Sequence, residues 1–263
     1  MRPAAALYCP PPQLSLRVGR HGATSRVGWT HSLLRGLEAL RSTSLVRIGG
    51  LALVAGGILF VVHIVLRSAV TAGPSPVDFA KAGSWVPINV LGALGAVLVL
   101  LGLPALYPRM VGSGGPASLI GVALVAASWM LVGLFLSLYG VLVLPWLAGE
   151  APSLVAVGAP PPAAFVITFV VGLLAWVVGA CLIAIPFVRG RDKPGWVGYV
   201  LLASAGWMVI GNLVIAPSGP ESNLGLNLLS NMGPVLFLIA VGVLGYQLWS
   251  GHSPSEDPLA PSA

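Results

Sequence analysis

The chain has 263 residues, 57% of them hydrophobic and 8% charged, with mean hydropathy +0.95. A soluble domain carries about 25% charged side chains, so a water-soluble globule is excluded: there is too little polar surface to cover so large an apolar interior. Two cysteines, Cys9 and Cys181, exclude a disulfide scaffold and a cysteine-built zinc or iron–sulfur centre. What remains is a polytopic membrane protein.

In chain order, residues 1–28 read as a disordered basic tail, with Pro10–Pro12, scattered arginines and little periodicity. Residues 29–47 read as a juxtamembrane amphipathic segment. Leu33, Leu37 and Leu40 fall at helical spacing opposite Arg35, Glu38 and Arg41; a solvated linker is the plainer alternative. A crossing helix needs ~20 mainly apolar residues, and six runs qualify: 48–66, 85–107, 118–145, 164–188, 196–216 and 232–249. Backbone groups in lipid must be bonded within their own segment, so these runs are helices. No run alternates as barrel strands do. The expected fold is therefore all-α, a six-helix transmembrane bundle over 48–249, followed by a disordered C-terminal tail, 250–263.

The third run is longer than a perpendicular crossing needs, so it tilts or continues past the bilayer surface. Short Gly/Pro/charge-rich turns are expected at Pro108–Pro116 and Arg189–Gly195, and longer connections over 67–84, 146–162 and 217–231. Pro160–Pro162 predicts a stiff entry to the fourth helix. Val70, Thr71 and Ala72 have the small-residue pattern of a signal-peptide cleavage site. The preceding basic region is too long for one, however, and the apolar core exceeds the usual ~7–15 residues, so the first helix is read as retained.

Basic residues set the expected orientation. With the N-terminus inside, eleven lie on the cytoplasmic side: Arg2, Arg17, Arg20, Arg26, Arg35, Arg41, Arg47, Arg109, Arg189, Arg191 and Lys193. Only Arg67 and Lys81 fall outside. This positive-inside bias places both termini in the cytoplasm. The net charge of +6 is then directed at anionic lipid headgroups, and no nucleic-acid-binding module is readable.

Two hairpins echo one another, with Ser128-Trp129-Met130 through Gly133 in one and Gly206-Trp207-Met208 through Gly211 in the other. A duplication would place Trp129 and Trp207 at equivalent mid-membrane positions. Small-xxx-small pairs, Ala52/Gly56, Gly92/Ala96 and Ala175/Gly179, are expected where helices pack closely, within one chain or between subunits.

His63 is the one ionisable side chain well inside an expected span. That argues against proton relays, voltage sensors and a bis-histidine haem. No zinc-protease, nucleophile-elbow, phosphate-loop or dinucleotide motif is present. No catalytic residue, metal ligand or cofactor is therefore expected, and the chain is not read as an enzyme. His63, Asn89 and Asn212 share a depth below the outer surface. They form the candidate ligand-binding layer, with Arg67, Glu221, Asn227 and Asn231 as its outer rim and Asp78 and Lys81 nearby. The competing reading is interhelical hydrogen-bond glue worth about 0.6 kcal/mol per bond.

Two functions follow as expectations. One is a non-catalytic scaffold or partner subunit of the bacterial cytoplasmic membrane, with the lipid bilayer, another membrane protein or a second copy as partner and no nucleic acid. The other is a small transporter or channel for a neutral or weakly polar solute, entered through the His63/Asn89/Asn212 layer. An intramembrane enzyme ranks third, for want of a nucleophile–base pair or ligand set at depth. In composition and topology the chain resembles small six-span proteins of bacterial cell membranes, and its Ala/Gly/Val/Pro usage suggests a GC-rich bacterial genome; neither implies an activity.

Overall fold

A computed structural model describes residues 25–72, 75–156, 162–192, 194–215 and 223–251, with the backbone alone for residues 25–43 and 113. Residues 1–24 and 252–263 of the expected tails, Cys9 among them, the side chains of the amphipathic segment up to residue 43, Pro160, Pro161, Lys193 and Glu221 fall outside that description, whereas residues 25–28, expected in the disordered tail, are helical. Contacts divide the chain into Met1–Arg41 and Ser42–Ala263; residues 25–41 of the first helix aside, everything that follows belongs to the second unit.

All regular structure among the described residues is helical. Helix α1 runs Ser25–Thr71, with Ser44–Thr71 its membrane-length part. It is followed by a short α2 (Pro76–Lys81), α3 (Trp85–Gly112), α4 (Gly115–Glu150), α5 (Ala163–Val188), α6 (Trp196–Ile215), a short α7 (Leu224–Ser230) and α8 (Met232–Ser250). Six of these helices are long and apolar enough to cross a membrane, at the positions where the apolar runs were expected.

Two boundaries differ from expectation because prolines begin helical pieces here. Pro104 lies in a 3₁₀ turn, Leu103–Leu106, and Pro108 in the first turn of the helical piece that follows, Tyr107–Ser113. In that position the missing N–H costs nothing. The expected turn over Pro108–Pro116 shrinks to Gly114–Gly115, where Gly115 takes φ +63°. Helix α4 likewise continues past residue 145 to Glu150, because Pro145 opens its last piece, Leu144–Glu150. At 36 residues α4 is roughly 50 Å long at ~1.5 Å per residue, so the third run extends beyond the length of a simple crossing. Two π-helical turns interrupt it, Trp129–Leu134 and Tyr139–Val143, and a third ends α6 at Gly211–Ile215.

The helices pack against their neighbours in sequence, and α8 returns to α1. Gly50 and Gly245 make that closure: a Cβ on Gly50 would lie 2.5 Å from the Gly245 carbonyl oxygen, and one on Gly245 2.7 Å from that of Gly50. Gly121 of α4 and Gly179 of α5 meet in the same reciprocal way, at 2.9 and 2.8 Å. Of the small residues singled out in the sequence, Gly56 faces the Gly95 carbonyl and Gly92 lies under the His63 ring. Ala96 is fully buried, while Ala52 and Ala175 are only half-buried.

An aromatic cluster fills the middle of the bundle. Trp129 of α4 contacts Phe60 of α1 at 4.7 Å between centroids, Trp176 of α5 at 5.4 Å and Phe237 of α8 at 6.2 Å. Trp207 does not occupy an equivalent place: it is half-buried and donates Nε1–H to the Leu229 carbonyl at 2.7 Å. The tryptophan echo in the sequence is therefore not an echo of environment.

Candidate functional site

The expected ligand layer separates into local hydrogen bonds. His63 is 2% exposed, and its Nδ1 lies 2.8 Å from the Ile88 carbonyl oxygen. A carbonyl only accepts, so the proton is on Nδ1 and the bond ties α1 to α3. The ring lies over Gly92, where a Cβ would come within 2.7 Å of it, and 5.3 Å from Phe60. Asn89 donates from Nδ2 to the Trp85 carbonyl one turn back, at 2.9 Å, and its Oδ1 faces Gly140 of α4. Trp85 completes that contact by donating Nε1–H to the Gly140 carbonyl at 2.8 Å. Asn212 donates to the Met208 carbonyl at 2.8 Å within its own helix. The three serve different contacts, and none is hydrogen-bonded to another in the described structure.

The rim residues form ties of their own. Asn227 of α7 donates Nδ2–H to Thr71 Oγ1 at 2.8 Å and accepts from Ser68 Oγ at 3.3 Å, joining α7 to the end of α1. Asn231 donates back to the Asn227 carbonyl at 2.8 Å. The Arg67 guanidinium lies over the Trp85 ring at 5.9 Å. Helix α2 is locally encoded: Ser75 caps it by accepting from the Asp78 amide, and Pro76 fits its first turn. Its Phe79 and Ala80 are buried with Trp85, Ala148 and Val155, an apolar patch that covers this end of α3 and α4. The Asp78 carboxylate accepts the Ser75 hydroxyl at 2.6 Å, and Lys81 is exposed.

At the opposite end lies a polar centre that the sequence reading passed over. Arg109 of α3 pairs in bidentate fashion with Asp192, Nε to Oδ2 and Nη2 to Oδ1, both 2.8 Å. Its Nη1 donates to Gln247 Oε1 of α8 at 2.8 Å, and the guanidinium lies 5.7 Å from the centre of the Phe187 ring. The two charged side chains are 13% and 12% exposed. Local sequence delivers Asp192 to this place. Helix α5 ends in a Schellman motif: Gly190 takes φ +68°, its amide bonds to the Phe187 carbonyl, and the Arg191 amide to that of Pro186. The Asp192 amide bonds to Pro186 as well, curling the turn back over the helix end. A signal for the pair was present: Arg109 and Asp192 are the basic and acidic members of two turns that strict alternation puts on one face.

Chemically, these groups hold helices together. No cluster of His, Cys, Asp or Glu able to bind a metal occurs among the described residues. Two grooves open laterally. One of about 750 Å³ lies between α1, α3 and α4, from Leu45 and Tyr107 to Leu100 and Ala126. The other, about 430 Å³, lies between α1 and α8, beside Gly57 and Gly242. Both are lined almost wholly by apolar side chains. No family model matches the chain, and neither a curated protein nor a solved structure matches it.

Proposed function

We propose that this is a non-catalytic integral membrane protein of the bacterial cytoplasmic membrane, with both termini cytoplasmic, that acts through its lateral surface as a scaffold or partner subunit. The observation that carries this reading is the fate of the expected ligand layer. His63, Asn89 and Asn212 each spend a donor on a backbone carbonyl of a neighbouring or their own helix. Aromatic rings fill the centre, and the two grooves between α1 and its neighbours are apolar. Apolar surface of that kind suits lipid or another membrane helix.

The test is thiol accessibility in intact cells. In a Cys9→Ser, Cys181→Ala background, single cysteines at 63, 89 and 212 are treated from outside with a membrane-impermeant maleimide, with exposed position 224 as the labelled control. Protection at all three positions is expected. Labelling at all three would mean a water-filled entrance and would transfer the assignment to a transporter or channel for a neutral solute. One feature favours that second reading: π-helical turns concentrate at functional sites, and Asn212 lies within one of the three present here.

A further inference from the structure

Two buried polar atoms among the described residues have no hydrogen-bonding partner in the protein, and they are neighbours in sequence: Ser128 Oγ and Trp129 Nε1. Every other deeply buried indole is bonded, Trp85 to the Gly140 carbonyl and Trp176 to Ser204 Oγ at 3.3 Å. Trp129 is 1% exposed and Ser128 fully buried, at the centre of a bundle whose helices are long enough to cross a membrane. An amide-like donor moved from water to an apolar medium without a partner costs roughly 2–7 kcal/mol. A phenylalanine would fill this aromatic cluster without that cost.

The indole is also held in one orientation. A Cβ on Gly133 would lie 2.6 Å from Trp129 Cε3, so the benzo edge presses on the backbone of its own helix, and Nε1 occupies the opposite edge. Trp129 opens the first π turn of α4, in which Phe135 N–H bonds to the Met130 carbonyl five residues back. A widened turn of this type is a recurrent feature of functional sites.

We infer that the core of the bundle binds an internal water at the Ser128–Trp129 step. Its oxygen accepts the Trp129 Nε1–H, and the Ser128 hydroxyl supplies a second bond. Buried waters take two to four such partners and are retained because removing them orphans the groups they serve. The site lies one helix away from His63 and is independent of the partner-subunit reading.

Two measurements on the full chain in lipid nanodiscs test it. With ¹⁵N-labelled tryptophan, and Trp129→Phe used to assign the resonance, the Trp129 indole proton is expected downfield with magnetisation transfer from water. Ser128→Ala, a small change that keeps the helix, is expected to weaken that transfer and lower the Tm. An upfield, ring-shielded indole proton without water transfer would mean that the donor rests on an aromatic face, the Phe60 ring being nearest, and would overturn the inference. So would a rise in Tm for Ser128→Ala, since deleting an orphaned hydroxyl stabilises and deleting a bonded one does not. A downfield proton without water transfer would also overturn it, by assigning the site to another acceptor such as a copurified solute.

Discussion

At the Arg109 end of the bundle one guanidinium holds three stretches of chain, α3, the turn after α5 and α8, through a carboxylate, an amide and a ring face. At the Asn227 end the same task is divided among neutral groups: Asn227 with Thr71 and Ser68, Trp207 with the Leu229 carbonyl, and the apolar contacts of Phe79 and Trp85. The difference teaches how each end fails. A mostly buried charge depends on its partner, because removing one member takes the main counter-charge from a group that stays desolvated. Neutral bonds are each small, so losing one leaves the rest in place.

The comparison can be broken most directly at Arg109. Arg109→Ala is expected to lower unfolding stability by about 3 kcal/mol, the range for a buried pair that loses one partner. Arg109→Ala with Asp192→Ala together should cost less than the sum of the single changes, since the pair couples. Denaturant titration in mixed micelles reads both effects; additivity would show that the pair contributes nothing as a pair.

Next in size is the glycine contact beside that end. Gly50→Val pushes a side chain into the Gly245 carbonyl and the Trp249 backbone, an overpacking expected to cost about 1–3 kcal/mol. Gly206→Ala, where a Cβ meets nothing within 4 Å, should stay within about 0.5 kcal/mol of the parent. Equal losses at the two sites would mean that the close approach of α1 and α8 carries no weight.

At the other end, Asn227→Ala removes three side-chain bonds, to Thr71, Ser68 and Asn231, and is expected to cost about 1 kcal/mol. A loss as large as that of Arg109→Ala would erase the distinction between the ends. The smallest expected effect is that of salt. Raising ionic strength from about 0.1 M to 1 M shortens the Debye length from ~10 to ~3 Å, yet the gap between parent and Arg109→Ala should change by only a few tenths of a kcal/mol, because the pair is mostly buried. A collapse of the gap in high salt would place the pair in open solvent.

How far the sequence was legible varies from element to element. The six long helices follow from hydropathy, and the bounds of α5 and α8 match to within one residue because Pro162 and the Gly190 and Gly251 turns punctuate them. The α3–α4 turn is shorter than the sequence predicts, because Pro108 and Pro116 each lie in the first turn of a new helical piece rather than in a loop. The candidate layer was not legible as a site: counting residues from a helix end gives only the position of His63, Asn89 and Asn212 along their helices, and the angle of each around its axis depends on which neighbour packs there. Arg109 was visible as a charge on one face, and its partners Asp192 and Gln247 lie 83 and 138 residues away.

The sequence by itself determined the helical class, the number and approximate positions of the membrane-length segments, and the glycine turn that follows α5. These rest on hydropathy summed along a segment and on hydrogen bonds between residues a few positions apart, both properties of the chain read in order. Tertiary structure alone decided that His63 bonds to Ile88, that Arg109 clamps Asp192 and Gln247, and that the buried Trp129 indole has no acceptor within the protein while that of Trp207 has one. The reason is rotational: nearly every face of these helices is apolar, so no amphipathic stripe marks the inward side. Close approach at Gly50–Gly245 and Gly121–Gly179 then selects it.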